Sequence, residues 1–197
     1  MNEMSDDFYR CWIEAGIHIN RQADGNLRSW LRSHPFPPFL EHLSFRLGNQ
    51  LFFIRLEDVD GDIVGPGNLD GLLSIAQKAN GHACIMPMKR SATTGTWGAI
   101  APDWGLTDAK SGRPINPLNL VSDTKIEMTP WEVQDLGIQI VRDHLLKKNY
   151  KLMSWQSNPK VDPSIWFIGE TGKPEWVVVR ATTYPEAIAS LPDNINK

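Results

Sequence analysis

Apolar side chains near the N-terminus recur at a spacing that is typical of helices. In residues 6–19 this pattern predicts an amphipathic helix, for which Ser5 or Asp6 can serve as the N-cap. The apolar residues that define this helix are Phe8, Trp12, Ile13 and Ile17. Residues 26–32 predict a short second helix, and a cluster of three prolines then interrupts the chain at Pro35, Pro37 and Pro38.

The spacing of apolar residues changes to two after this cluster. Leu43, Phe45 and Leu47 alternate with polar side chains, and Gly48-Asn49 supplies a tight turn into residues 50–56. The pattern predicts a β-hairpin.

A loop and another amphipathic helix are predicted behind the hairpin. The acidic, glycine-rich residues 57–67 favour a loop, and Asn68 suits the N-cap of a helix that has Gly81 at its C-cap. The apolar residues of this helix are Leu69, Leu72, Leu73, Ile75 and Ala76. The apolar run 83–88 predicts a buried strand, whereas residues 97–117 are rich in Gly, Pro, Asp and Trp and predict irregular structure.

The clearest helix start in the chain lies at Thr129. Thr129 can supply the N-cap oxygen, Pro130 suits the first helical position, and Glu132 can close a capping box. The predicted helix ends near Asn149. The apolar stripe predicted for its buried face consists of Val133, Leu136, Ile140, Val141, His144 and Leu145.

Three short strands are predicted after this helix, over residues 150–155, 164–168 and 176–181. The Gly-Glu-Thr-Gly sequence of residues 169–172 turns the last two strands into a hairpin. Because the last strand begins with the continuous apolar run Trp-Val-Val-Val, we expect it to be buried on both faces. A final helix is predicted over residues 185–191.

These elements predict an α+β, or mixed α/β, fold in two parts. Residues 1–120 form an N-terminal part with helices and a β-hairpin, and residues 125–197 form a C-terminal part with a helix and a mixed sheet. The candidate linker lies near residues 118–128. The alternative that both parts belong to one compact domain stays open.

Composition and charge narrow the function classes. The 197 residues are 41% hydrophobic and 22% charged, which is typical of a packed globular protein. The formal net charge of −3 provides no overall excess that would attract phosphate backbones. Local positive charge is available near the C-terminal part, from Lys147, Lys148, Lys151 and Lys160.

The cysteines and the apolar runs bear on the cellular compartment. Cys11 and Cys84 are too few and too far apart for a disulfide framework, which fits a reducing cytosol. The N-terminus is acidic, and no run approaches 18 apolar residues. We therefore expect a cytoplasmic protein with neither a secretory signal nor a membrane partner.

The order of elements after Thr129 resembles a known enzyme core. A long helix, a strand, a second strand that opens after Asp162-Pro163, and a valine-rich strand that ends in the cation Arg180 follow one another. In this respect residues 129–181, about a quarter of the chain, resemble the core of the restriction-endonuclease-like nuclease superfamily. The signature of that superfamily is a carboxylate that opens the second strand, followed on the third by Asp or Glu, any residue, and Lys.

The resemblance implies a chemistry, and the sequence departs from it at the essential positions. In the family two carboxylates on adjacent strands hold Mg²⁺, which activates water, while Lys orients the nucleophile. Here the matching triplet is Val178-Val179-Arg180, and Asp162 lies slightly ahead of the usual position, where Ser164 stands. A guanidinium is not deprotonated and forms a fork with phosphate or carboxylate, so binding can survive where hydrolysis cannot.

The candidate site residues follow from this comparison. They are Asp162, Glu175, Arg180 and Glu132, with Asp162 and Glu175 as the candidate metal ligands. An active nuclease would need Glu175, Glu132 or Asp135 to join Asp162 around Mg²⁺. In the alternative interpretation Asp162 caps a turn, Arg180 forms an ion pair at a strand end, and Val178 lies in the core.

Three functional hypotheses remain. The first is a non-catalytic binding or regulatory protein on a degenerate nuclease-like scaffold, without a cofactor. The second is a Mg²⁺-dependent nuclease with relocated ligands, and the third is a protein-interaction or immunity-type module without a nucleic-acid role. The partner is accordingly a protein or a nucleic acid. Six of the eight tryptophans lie between residues 97 and 176, where they either fill a core or form a stacking platform.

Overall fold

The chain folds into two compact units, an N-terminal unit of residues 1–126 and a C-terminal unit of residues 127–197. The structure, a computed structural model, describes residues 5–25, 27–32, 43–65 and 67–192. The fold class is α+β, as predicted. The predicted proline cluster lies outside the described residues.

The N-terminal unit combines two helices with a mixed sheet. The helices are α1 (Asp6–Ala23) and α2 (Leu69–Lys78). The strands are β1 (Leu27–Arg32), β2 (Leu43–Leu47), β3 (Gln50–Asp58), β4 (His82–Arg90), β5 (Trp97–Ala99), β6 (Leu106–Asp108) and β7 (Pro114–Ile115). The sheet order is β1-β2-β3-β4-β6-β7, with β5 also paired to β4. Only the pair β3–β4, which α2 connects, is parallel among the described strands.

Several predictions for this unit are confirmed by local hydrogen bonds and register. The Phe8 amide donates to Ser5 Oγ at 3.1 Å, which makes Ser5 the N-cap of α1. Asn68 caps α2 in the same way, accepting from the Gly71 amide at 2.8 Å. Strands β2 and β3 form the predicted hairpin, with Gly48 at a φ of 55° in its turn.

Other predictions for this unit are wrong. Residues 27–32 form a strand instead of a helix, because pairing with β2 satisfies their backbone and overrides a weak helical pattern. Ile13 and Ile17 of α1 are exposed. The buried face of α1 instead comprises Phe8, Cys11, Trp12, Ala15, Ile19 and Ala23.

Further differences concern the ends of elements. Helix α2 has its C-cap at Ala79, and Asn80 takes the left-handed conformation (φ 49°), so that Gly81 lies outside the helix.

Residues 97–117, predicted as irregular, contain the three short strands β5, β6 and β7. Pairing with β4 explains why β5 and β6 form within a segment that is rich in Gly and Pro.

The two cysteines lie in the core of the N-terminal unit. Both are free thiols and both are buried. Burial raises the pKa of each thiol, for Cys11 and for Cys84 alike, to about 12. Thiols held in the protonated form are poor nucleophiles, so these cysteines serve as packing residues.

The C-terminal unit places one helix on a small sheet. The helix is α3 (Pro130–Lys147), and the strands are β8 (Lys151–Trp155), β9 (Ile165–Ile168) and β10 (Pro174–Val177). The order is β10-β9-β8, and both pairs are antiparallel. The core between helix and sheet consists of Ile138, Leu145, Ile165, Phe167 and Val179.

Two predictions for this unit are wrong. Strand β10 ends at Val177 and lies at the edge of the sheet, and Trp176 is 56% exposed, so this segment is not buried on both faces. Residues 185–191 form turns and bends instead of a helix. Ile188 and Leu191 are exposed there, and so short a helix is unstable without apolar packing.

Candidate functional site

The first turn of α3 is fixed by the predicted capping box. The Glu132 amide donates to Thr129 Oγ1 at 3.2 Å, and the Thr129 amide donates to Glu132 Oε2 at 2.7 Å. Candidate residue Glu132 is therefore buried at the helix N-terminus, where its carboxylate satisfies a backbone donor. Its place in the fold is explained by helix capping.

The buried face of α3 differs from the predicted apolar stripe. Leu136 and Ile140 are 47% and 62% exposed, and His144 is exposed as well. The buried residues of α3 are Glu132, Gln134, Asp135, Ile138, Arg142 and Leu145. This face has equally good helical spacing, and two of its polar members, Gln134 and Asp135, are stabilised by partners that lie far away in sequence.

Gln134 attaches the segment after β10 to the helix. Its Nε2 donates to the Val179 carbonyl at 2.7 Å, and its Oε1 accepts from the Ala181 amide at 3.1 Å. On the other side of this segment the Val179 amide donates to Ser164 Oγ at 3.0 Å. Gly137 permits the close approach, because a Cβ there would lie only 2.8 Å from the Ala181 Cβ.

These contacts place Arg180 beside Asp162. Arg180 Nη2 donates to Asp162 Oδ2 at 2.7 Å, and Nη1 donates to the Val179 carbonyl at 2.9 Å. The two side chains are only 18% and 14% exposed. The other oxygen, Asp162 Oδ1, is buried and has no hydrogen-bond partner within the described part of the chain. The pair is thus largely desolvated, and one of its acceptor atoms is unsatisfied.

The remaining candidate acids lie elsewhere in the C-terminal unit. Glu175 is opposite Phe167 in the hairpin, and its Oε1 accepts from Thr171 Oγ1 at 2.7 Å in the turn. Glu175 precedes Arg180 by five positions, and an extended chain of that length spans up to roughly 16 Å. Asp135 accepts hydrogen bonds from Ser157 and, at 2.7 Å, from Gln139.

The structure therefore joins Asp162 with Arg180, but it brings neither Glu175 nor Glu132 to that pair. Across residues 5–25, 27–32, 43–65 and 67–192, no group of three or more His, Cys, Asp or Glu side chains is placed to hold a metal ion. Of the three parts of the alternative interpretation, the ion pair of Arg180 is observed. The residue buried in the triplet is Val179, whereas Val178 is only half-buried.

A cleft opens beside the Asp162–Arg180 pair. It has a volume of about 620 Å³ and lies within the C-terminal unit. Lys160 and Glu186 also line it, and much of the remaining wall is formed by prolines and alanines. Sequence reasoning missed Gln134 and Glu186. In the sequence, Gln134 is simply a polar residue four positions before Ile138 on the predicted helix. Such a spacing does not reveal that the side chain is buried, because its partners cannot be identified from the sequence.

A comparison with known protein families finds a match within the C-terminal unit. Residues 131–197, about a third of the chain, match the model of a family described as a domain of unknown function (DUF8840). No curated protein and no solved structure matches the chain. None of the helices in the part of the chain that the structure describes is both long enough and apolar enough to cross a membrane.

Proposed function

We propose that the C-terminal unit is a non-catalytic nucleic-acid-binding module, built on a degenerate nuclease-like core, that holds its ligand without cutting it. The observation that carries this proposal is the contact between Arg180 Nη2 and Asp162 Oδ2 at 2.7 Å. The acid that the resemblance assigns to a metal is here bound to a guanidinium. A permanent cation at this distance repels a second cation and occupies one of the two oxygens that a metal could use.

The neighbouring residues support the same conclusion. Mg²⁺ in enzymes of this kind is held by one or two carboxylates together with water and phosphate oxygens. The position that should supply the second carboxylate is Val178, and Glu175 bonds to Thr171 in the turn. The carboxylates that a hydrolytic metal site would need are therefore apart from one another in this unit.

The cleft retains groups that suit phosphate recognition. Lys160 and Arg180 both line it, and a guanidinium that already contacts one oxyanion can share its remaining donors with a phosphate. Asp162 and Glu186 line the same cleft, which keeps its charge balanced. We therefore expect modest, salt-sensitive affinity instead of the tight binding of a strongly basic surface.

A protein-interaction module is the second candidate function. The observation in its favour is the exposed face of α3, where Leu136 and Ile140 lie one helical turn apart. This hypothesis has no role for nucleic acid, so one binding experiment separates the two.

The test combines binding and cleavage on the full chain. We expect labelled DNA or RNA oligonucleotides to shift in a salt-dependent manner and to remain uncut in millimolar Mg²⁺ or Mn²⁺. Lys160→Ala should weaken binding and lower the salt dependence by about one phosphate contact. Lys125→Ala is the matched control, because Lys125 is an exposed lysine of the N-terminal unit.

Each contrary outcome has a defined meaning. Cleavage that needs a divalent ion and disappears in Asp162→Asn would overturn the proposal in favour of the relocated-ligand nuclease. The absence of any shift at low salt, for single strand and duplex alike, would leave the protein-interaction hypothesis.

A further inference from the structure

The outer face of the C-terminal sheet carries two neighbouring tryptophans. The antiparallel register places Trp166 of β9 directly opposite Trp176 of β10. Their side chains are 37% and 56% exposed. Because side chains alternate along a strand, the flanking residues Ile165 and Phe167 point to the other face, and both are buried.

This exposure is unusual for tryptophan. Directly opposed side chains of an antiparallel pair have Cβ atoms about 5 Å apart, so the two indoles form one continuous apolar surface. Trp97 and Trp104, by contrast, are buried in the core of the N-terminal unit. Large aromatic residues that remain exposed side by side indicate a binding surface.

The charges around this surface favour an anionic ligand. The pairing of Lys151 with Ile168 places Lys151 on the same face, two residues along β9 from Trp166, or roughly 7 Å. The paired positions of this face are Lys151, Ser154, Trp166, Ile168, Pro174 and Trp176, of which one is cationic and none is acidic.

Charged residues that are close to the face in sequence add to its positive charge. Lys147 and Lys148, at the end of α3, are exposed just before β8. The acids of the hairpin are engaged in other contacts: Glu170 accepts from the Tyr150 hydroxyl at 2.8 Å, and Glu175 accepts from Thr171. The two acids keep their charge in these hydroxyl contacts, but Lys147, Lys148 and Lys151 outnumber them, so the region around the tryptophans carries a small excess of positive charge.

We propose that this face, which we call the tryptophan platform (Trp166, Trp176 and Lys151), binds single-stranded nucleic acid by base stacking. The inference rests on the proposed function and specifies its ligand. In a duplex the base faces are already stacked on each other, whereas a single strand can place one base on each indole. Lys151 then lies beside the backbone phosphate, and stacking makes the binding tolerant of sequence.

The test is the affinity of the full chain for a labelled single-stranded oligothymidylate, measured by fluorescence anisotropy beside a duplex of the same length. Trp166→Ala and Trp176→Ala should each weaken single-strand binding by about 10-fold or more, because one stacked base is lost. Trp176→Phe should retain most of the affinity. Leu136→Ala and Ile140→Ala are the controls, since they remove exposed apolar side chains from α3 in the same unit.

The outcomes separate this inference from the function on which it rests. Preference for the single strand, with loss in both alanine variants and normal binding by Trp176→Phe and the controls, supports the platform. Binding of duplex alone, or unchanged affinity in both alanine variants, overturns the platform and leaves the proposed function in place. Failure to bind either nucleic acid overturns both.

Discussion

Replacing Arg180 by methionine is expected to lower the free energy of unfolding of the C-terminal unit by about 3 kcal/mol. The change leaves the Asp162 carboxylate largely buried without its counter-ion, and Oδ1 of that group already lacks a partner. Hydrogen exchange of the amides in β9 and α3 measures the effect, because these elements form the core of the unit.

The matched variants are Asp162→Asn and the double variant Asp162→Asn/Arg180→Met. Neutralising both partners removes the unpaired charge, so the double variant should regain much of the stability that Arg180→Met alone loses. If both single variants change the stability by less than about 0.5 kcal/mol, the pair behaves as an exposed surface ion pair. That result would contradict the desolvated contact on which the proposed function depends.

Replacing Gln134 by leucine should cost about 2–3 kcal/mol in the same measurement. Leucine has a similar volume but can neither donate to the Val179 carbonyl nor accept from the Ala181 amide. The Ala181 amide loses the partner that the structure gives it, and the segment that carries Arg180 is released from α3. We therefore expect weaker oligonucleotide binding as well as lower stability.

Gln134→Glu is the informative companion variant. It keeps an acceptor for the Ala181 amide but removes the donor to the Val179 carbonyl, and it buries a charge. Its stability should also fall. An unchanged exchange rate in both Gln134 variants would mean that this side chain does not attach residues 179–181 to the helix.

Elements with local chemical signatures could be predicted from the sequence. The capping box of Thr129 and Glu132 and the Asn68 cap depend on side chains within three residues of the backbone groups that they satisfy. The turn at Gly48 is equally local, since its positive φ suits glycine. Interactions of this kind are visible in a single sequence.

The orientation of α3 could not be predicted, because it depends on partners far away in sequence. An apolar stripe through Leu136 and Ile140 was the simplest interpretation of its periodicity. The helix instead buries Gln134, whose hydrogen bonds to residues 179–181 offset the cost of burying an amide. The alternative interpretation put Val178 in the core, but the buried residue is Val179, whose backbone bonds to Gln134 and Ser164.

Two of the candidate site residues lie together in the structure. The resemblance to the nuclease superfamily selected Asp162 and Arg180, which the structure joins in one ion pair. The same resemblance selected Glu175, which lies in β10 and accepts a hydrogen bond from Thr171 of the hairpin turn. The contact between Asp162 and Arg180 depends on the pairing of β9 with β10 and on the hydrogen bond between Val179 and Ser164. Neither of these long-range contacts is visible in a single sequence.

We propose that the Asp162 carboxylate pairs with Arg180 and holds no divalent metal. The most direct test of this proposal is a titration of the isotopically labelled protein with Mn²⁺, followed by paramagnetic broadening of backbone amide signals. We expect no selective broadening of the amide signals of residues 162, 164 and 178–181 at millimolar Mn²⁺, and the same lack of broadening for Asp162→Asn. If these signals broaden selectively and Asp162→Asn abolishes the broadening, then Asp162 holds a metal. That result would contradict the proposed pairing of Asp162 with Arg180 alone.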